Sequence, residues 1–476
     1  MRPSDATSAQ LPADIARPTY DRTAVRRGVV HLGIGAFHRA HQAAIFEAAL
    51  AAGDLRWGIT AVSLRSAGVR DQLAPQDGLY TLLVRDGAGE RAQIMGAVGQ
   101  VLVAPEDPTA VVAALAHPDT HLVTLTITEK GYKLDRAKGT LLAEDADVAH
   151  DVAGLAAPRT APGFLVAGLA ARRAAGLPPF TVLSCDNLPH NGALLRAAVL
   201  EMARAHDADL AEWIAEQGAF PASMVDRIVP ATTPDDIAAL ATRLGVEDQA
   251  MVKTEPFLQW VVEDRFCGPR PDFAALGVQL TADVAPWEDA KLRLLNGAHS
   301  SIAYLGGLMG DAFVHQFVAR EEGRAFVERL WDQAAATLNP PPGLDIPAYR
   351  TALMARFANP ALQHRTRQIA MDGSQKLPQR LLAPLAAGGG DALALGVAAW
   401  IRWQSGQTDT GETFAVDDPL ADRLAVAARS DDPVTATLAL LGVEVEPAIR
   451  DAIAAHLTNL ERSGADGAIR TLLKGT

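Results

Sequence analysis

Cysteine is nearly missing: Cys185 and Cys267 are the two present in 476 residues. Two thiols build no disulfide framework and no cysteine cluster for zinc, and they suit a reducing compartment. Long apolar runs are missing as well. The nearest, LAPLAAGGGDALALGVAAWI, is broken by three glycines and Asp391 and falls short of the ~20 uninterrupted apolar residues that a membrane helix needs. The opening MRPSDATSAQLPADIARPTY carries charges and prolines where a signal peptide needs an apolar stretch, so a cytoplasmic protein is expected. Positive charge is in deficit, with 43 Lys and Arg against 56 Asp and Glu and a net charge of −13. Such a surface repels phosphate backbones and anionic bilayers, which argues against nucleic acid or a membrane as partner. No internal repeat at solenoid periods is present.

What remains is an ordinary globular composition, 49% apolar and 21% charged, in a chain too long for one core. Val29 to Leu32 is a short β-branched run, followed by GIGAFHRAHQAAIFEAALAA with helical periodicity. WGITAVSL, THLVTLTIT and PFTVLSC read as further buried strands separated by helix-rich stretches. This alternation predicts an α/β fold, a Rossmann-like doubly wound parallel sheet, over residues 1–283. From about Val284 the strands give way to Ala/Leu-rich stretches, so residues 284–476 are expected to form a mostly α-helical domain. Gln407 to Glu412 reads as an exposed turn.

In HLGIGAFHRAHQ, Gly33 lets the chain turn after the strand, and Gly35 lets backbone N–H groups approach a pyrophosphate at the helix N-terminus. Leu32, Gly33, Ile34, Gly35, Ala36, Phe37 and His38 are therefore the candidate cradle for a dinucleotide. His38 stands where the usual fingerprint has a third glycine, so the helix packs further from the strand or the turn differs. A tight turn with no ligand is the alternative. Placement after the first strand of an α/β pattern favours the cradle. No acid closes the second strand to hold a ribose 2′-hydroxyl, and the chain runs into Leu64-Arg65-Ser66-Ala67 instead. Arg65 is either a solvated loop residue or the partner of a 2′-phosphate, which leaves the cofactor's phosphate open.

The tyrosines Tyr20, Tyr80, Tyr132, Tyr304 and Tyr349 all lack a lysine four residues on, which removes one familiar pair for alcohol chemistry. His38 and His41 have no acidic or cysteine cluster beside them, which disfavours a catalytic metal. PWEDAKLRLLNGAHSSIAYLG offers Lys291, Asn296 and His299 on a predicted helix, at about 0°, 140° and 80° around its axis. Glu288 lies one turn before the lysine, close enough to pass or accept a proton. A desolvated lysine can take a proton from an alcohol near neutral pH. A solvated lysine on an amphipathic helix beside a core histidine is the alternative, but Asn296-Gly297 is costly inside a helix and asks for a compensating use. SCDNLPHNG closes a strand at its carboxyl end, where open α/β sheets bind ligands. Asn187 there either donates to a substrate oxygen or forms a turn, whereas Asn191-Gly192 reads as a turn alone.

With HLGIGAFHRAHQ, TLTITEKGY, SCDNLPHNG, MVDRIVP, EPFLQWVVEDRF, KLRLLNGAHS and MDGSQKLPQR in this order, residues from about 15 to 470 resemble the polyol-specific long-chain dehydrogenases, the mannitol dehydrogenase family. The resemblance implies metal-free hydride transfer, with NAD or NADP, between a secondary alcohol and a ketone on a sugar acid or polyol. Carried over by motif, it implies Lys291 as acid/base, Asn187 and Asn296 as holders of the oxyanion, and His299 as a substrate-positioning residue. It further implies Glu288 as proton relay and Asp226 near the substrate. The acid pair of mannitol-type members is Ala67-Gly68 in this chain, which puts strict NAD preference in doubt.

HRTRQIAMDGSQKLPQR is similar to the fructuronate reductases, and mannitol-type members tend to carry arginine where this chain has Gln368. That likeness implies D-mannonate and D-fructuronate as the substrate pair, with mannitol and fructose as the alternative. His364, Arg365 and Lys376 would give the pocket positive charge for a carboxylate, or else form interdomain salt bridges. A monomer or weak homo-oligomer is expected. Two rivals from other classes are a cofactor-binding regulator without turnover and an aldol enzyme using Lys291 for an imine. The lysine, asparagines and histidine together speak against the regulator.

Overall fold

The computed structural model describes residues 1–87, 89–135 and 139–475, and the chain divides into two units, Met1–Ala285 and Pro286–Thr476. In the first, five parallel strands form one sheet: β1 (Val29–Leu32), β2 (Ile59–Ser63), β3 (Val98–Val103), β4 (Leu122–Leu125) and β5 (Thr181–Ser184). Their order across the sheet is β3-β2-β1-β4-β5. The three central strands and β5 are apolar or β-branched and buried almost throughout, as a sheet covered on both faces requires. Helices α1 (Ala36–Ala40) and α2 (Gln42–Ala51) follow β1, α3 (Ala161–Ala174) precedes β5, and α4 (Asn191–His206) follows it.

Strand order reverses at β1, so the crevice at the carboxyl ends of β1 and β4 is the topological switch point, where open α/β sheets take ligands. The register levels those ends: Leu32 pairs with Val62 and Leu125, and Leu125 with Ser184. Gly33, Leu64, Thr126 and Cys185 therefore leave the sheet along one edge. This unit also holds two three-stranded sheets, one of Ser223–Asp226, Gln259–Glu263 and Gln279–Thr281, the other of Val252–Thr254, Tyr80–Asp86 and Gly89–Met95, and a two-stranded pair, Leu134–Asp135 with Thr140–Leu141.

The second unit is helical among its described residues. Its centre is α5 (Gly297–Leu308), buried at every residue, with α6 (Asp391–Trp403) and the short helix Thr366–Ala370 packed against it. The last helix, α7 (Pro447–Lys474), breaks at Gly464 (φ 67°, ψ 179°), where the Asp409 carboxylate accepts from the Ala465 amide at 2.7 Å and caps the second half. Asp409 comes from the exposed turn between Gln407 and Glu412.

Leading into α5, the backbone is α-helical over Ala285–Ala290 and then π-helical over Lys291–Asn296. A second π turn, Pro378–Leu382, packs on the first. Where they meet, Gly297 has no room for a side chain, since a Cβ would lie 2.9 Å from the Arg380 carbonyl oxygen. No described helix is long and apolar enough to cross a membrane.

Candidate active site

The turn after β1 is held by its own backbone. Gly33 has φ +101°, and a Cβ there would lie 2.2 Å from the Thr126 carbonyl oxygen, so glycine alone is accommodated. The Gly33 amide donates to Val62 (2.9 Å), and its carbonyl accepts from the Thr126 hydroxyl (2.8 Å) and from Nε2 of His31 (3.0 Å). Because that carbonyl can only accept, the His31 ring carries its proton on Nε2, and Nδ1 takes the Thr124 hydroxyl (2.8 Å). Gly35 is the exposed N-cap of α1, no side chain caps this helix, and space opens beside its Cα. An uncapped helix start at the switch point fits the pyrophosphate of a dinucleotide.

The residue standing for the third glycine solves the packing differently. His38 is fully buried, and its ring stacks on His31 with centroids 3.3 Å apart and planes 9° from parallel. Burial first, and His31 second, hold its imidazole neutral, well below the usual histidine range. The helix then breaks at His41 (φ −112°, ψ −87°) before α2 begins. Leu32, Ile34 and His38 thus point into the core and can meet a ligand only through their backbone, while Ala36 and Phe37 are half-buried. Arg65 is exposed beyond β2.

At the carboxyl end of β5, Cys185, Asp186 and Leu188 are buried while Asn187 is exposed. Asn191, expected to form a turn alone, is instead a pin. It is fully buried, donates to the Asp186 (3.1 Å) and Ser223 (2.7 Å) carbonyls, and accepts from the Ser223 amide (3.0 Å). Gly192 is needed for the same close approach, since its Cβ would lie 2.6 Å from the Phe220 carbonyl. Asp226 is buried at the end of its strand, opposite Gln259, and the next residue, Arg227, donates to the carbonyls of Ala40 and Glu255.

In the helical unit Lys291 is buried (7% exposed), while Asn296 and Glu288 are half-buried. The π turn corrects the angular spacing read from an ideal α-helix. Its hydrogen bonds run i to i+5, so Lys291 and Asn296 sit about one turn apart and not 140° around the axis. His299, one α-helical turn further on, is 6% exposed, and its Nε2 has no hydrogen-bond partner among the described residues. Its ring meets Phe357 (centroids 4.6 Å) and His364 (4.9 Å). Burial, with His364, Arg356 and Arg380 adding to it, keeps His299 neutral. The compensating use of Asn296-Gly297 is the close contact of the two π turns.

The three residues assigned to a carboxylate pocket have different surroundings. His364 adjoins His299, but burial and the nearby Arg356 lower its pKa to about 4, so it carries no charge at neutral pH. Arg365, its neighbour in sequence, is exposed and lies over the Phe313 ring at 5.5 Å. The Lys376 ammonium donates to the Met371 carbonyl. The positive field at His299 comes instead from Arg356 and Arg380, which sequence reasoning did not single out. Arg380 donates to the Ser300 hydroxyl (3.2 Å), one residue past His299. The signal for it was Gly297, which marks where another backbone comes close.

Among the described residues no group of three or more His, Cys, Asp or Glu side chains is placed to hold a metal. The chain matches the mannitol dehydrogenase Rossmann domain over residues 27–275 and the mannitol dehydrogenase C-terminal domain over 283–460. It is 45% identical over 444 residues, 91% of each chain, to the uncharacterized oxidoreductase YeiQ of Escherichia coli. Over 443 residues it is 43% identical to the D-mannonate oxidoreductase of that organism, covering 90% of this chain and 91% of the relative. Its fold superposes along the full length of both chains on Pseudomonas fluorescens mannitol 2-dehydrogenase, solved with NAD and D-mannitol, with a TM-score of 0.85 and 36% identity. With both domain models matched in order along the chain, the protein belongs to the mannitol dehydrogenase family and is an oxidoreductase.

Proposed function

We propose that the protein interconverts a secondary alcohol and a ketone on a sugar acid or polyol, without a metal and with NAD or NADP. The observation that carries this reading is Lys291, a buried lysine opening a π turn that also bears Asn296 and leads to His299. A bound nicotinamide supplies the hydride acceptor or donor. In oxidation the neutral amine of Lys291 accepts the hydroxyl proton, and Glu288 passes it on. Asn187 and Asn296 donate N–H to the oxygen as negative charge grows on it. His299 uses its unpartnered Nε2 to orient the sugar chain, with Asp226 as a second polar contact. In reduction, protonated Lys291 returns the proton to the carbonyl oxygen.

The backbone from Leu32 to His38 would hold the pyrophosphate. The exposed Arg65, with Ala67-Gly68 following, leaves room for the 2′-phosphate of NADP beside NAD, the cofactor bound by the Pseudomonas relative. D-Mannonate and D-fructuronate are the substrates we favour. Relatives at 43% identity include both a D-mannonate oxidoreductase and a mannitol 2-dehydrogenase, and the positive field of Arg356 and Arg380 at His299, which complements a carboxylate, favours the former. Mannitol and fructose are the second reading, favoured by the mannitol held in the Pseudomonas structure.

Absorbance of reduced cofactor, followed with mannonate, altronate, mannitol, sorbitol and arabinitol against NAD and NADP, tests both levels. Mannonate should give the highest kcat/KM. A best rate on mannitol moves the substrate to the polyols, and no turnover on any of them overturns the dehydrogenase reading.

A further inference from the structure

Thr128 stands three residues beyond β4 with φ 65° and ψ 164°. That region of backbone space is essentially reserved for glycine, and a β-branched residue stays there only when its surroundings over-determine it. The over-determining group is Asp186, 9% exposed, two residues beyond β5. Its carboxylate accepts from the amides of Thr128 (2.8 Å) and Ile127 (3.1 Å) and from the Tyr132 hydroxyl (2.8 Å). Tyr132, itself buried, also meets the Ser184 hydroxyl. Gly131 closes the loop on itself, since a Cβ there would lie 2.9 Å from the Ile127 side chain.

These contacts tie together the parts that border the switch point. The loop held by Asp186 begins with Thr126, whose hydroxyl donates to the Gly33 carbonyl and whose own carbonyl forbids a side chain on Gly33. On the other side Asp186 is covalently joined to Asn187, and its backbone carbonyl is fixed by Asn191. A buried carboxylate with amides and one hydroxyl as its donors is costly for a fold to keep, and burial does push its pKa up. The cost is explained if the loop must hold one shape.

We infer that Asp186 is a positioning residue: it holds Ile127 and Thr128 in the strained conformation that shapes the floor of the dinucleotide crevice, and it thereby fixes Asn187. This rests on the dehydrogenase reading proposed above. The loop belongs to the cofactor side of the reaction, so the effect should appear in binding of reduced cofactor to the free enzyme, apart from turnover.

The test is a set of four variants, Asp186→Asn, Thr128→Gly, the two combined, and Tyr132→Phe, measured for NADH dissociation constant by calorimetry, for kcat and KM, and for Tm. An asparagine turns an NH2 toward a backbone amide, so Asp186→Asn should weaken NADH binding about tenfold and lower kcat by up to about a hundredfold through misplacement. Thr128→Gly alone should weaken binding less than Asp186→Asn does, because glycine adopts the same φ without strain. In the Asp186→Asn background it should recover at least about half of the lost binding free energy, roughly a threefold gain in affinity. Tyr132→Phe keeps the carboxylate and removes one donor, so a smaller loss in NADH affinity is expected even if Asp186→Asn fails to fold. Unchanged NADH binding in both Asp186→Asn and Tyr132→Phe overturns the inference. So does a loss that tracks Tm alone and is not relieved by Thr128→Gly. Failure of the dehydrogenase reading would show separately, as absent turnover in the wild-type enzyme.

Discussion

The imidazoles of His299 and His364 meet edge to face, with centroids 4.9 Å apart and planes at 87°. Both are held neutral by burial, with Arg356 lowering each further. The native state therefore refuses protons that the unfolded chain accepts. The His364 contribution is complete above the unfolded pKa of 6.5 and is lost as pH falls toward its folded value of about 4. The pKa difference corresponds to roughly 3 kcal/mol at full protonation of the unfolded state. Urea unfolding at pH 7 and pH 4.5 should show a loss at the lower pH to which the other buried histidines add, and His364→Phe should make that loss smaller by about this amount; an equal loss in the variant would remove His364 as a cause.

Lys291→Ala should abolish turnover while NADH still binds, because the role proposed for the lysine is on the alcohol proton and the turn proposed for the pyrophosphate lies on the other unit. Small primary amines should restore part of the rate if the role is proton transfer. Wild-type turnover in the variant would exclude the lysine from the mechanism.

Replacement of Arg380 by Met should lower kcat/KM for mannonate by about tenfold to a hundredfold, the range of a charge-assisted contact, and lower that for mannitol much less. Arg365→Met, at an exposed residue stacked on Phe313, should change neither by more than about twofold. Equal losses on both substrates in the Arg380 variant would assign this arginine to the fold.

Gly297→Ala places a methyl 2.9 Å from a backbone carbonyl that cannot swing aside. Thermal unfolding should show a loss of about 1–3 kcal/mol, typical of overpacking. The rate should fall too, because Asn296 precedes the clash.

Dialysis against a chelator should leave activity unchanged. Inactivation reversed by zinc would contradict the metal-free reading.

The parallel sheet was legible because β1, β2, β4 and β5 are short β-branched runs that no helix pattern explains. The hairpin of Tyr80–Asp86 and Gly89–Met95 was harder to read, since its second strand, GERAQIM, is largely polar and exposed at its start. The π turn was not legible: a helical wheel assumes the α-helical step, and the extra residue per turn is decided by packing against Pro378–Leu382. The surroundings of Arg365 were not legible for a related reason. This residue adjoins His364 in sequence, but Arg365 is the N-cap of a helix with extended φ/ψ, and its side chain reaches solvent while that of His364 turns toward His299.

The stacked rings of His31 and His38 give the dinucleotide turn an unusual chemical silence. One holds the Gly33 carbonyl with a proton it cannot exchange for a second, since burial lowers the His31 pKa to about 3, and the other lies flat on it, equally unable to ionise. Across the range in which most histidines titrate, the pair beneath the turn proposed to receive the cofactor stays neutral. A pH dependence of turnover from neutrality down to pH 5 therefore has its origin outside this histidine pair, while the pair's refusal of protons bears on stability alone.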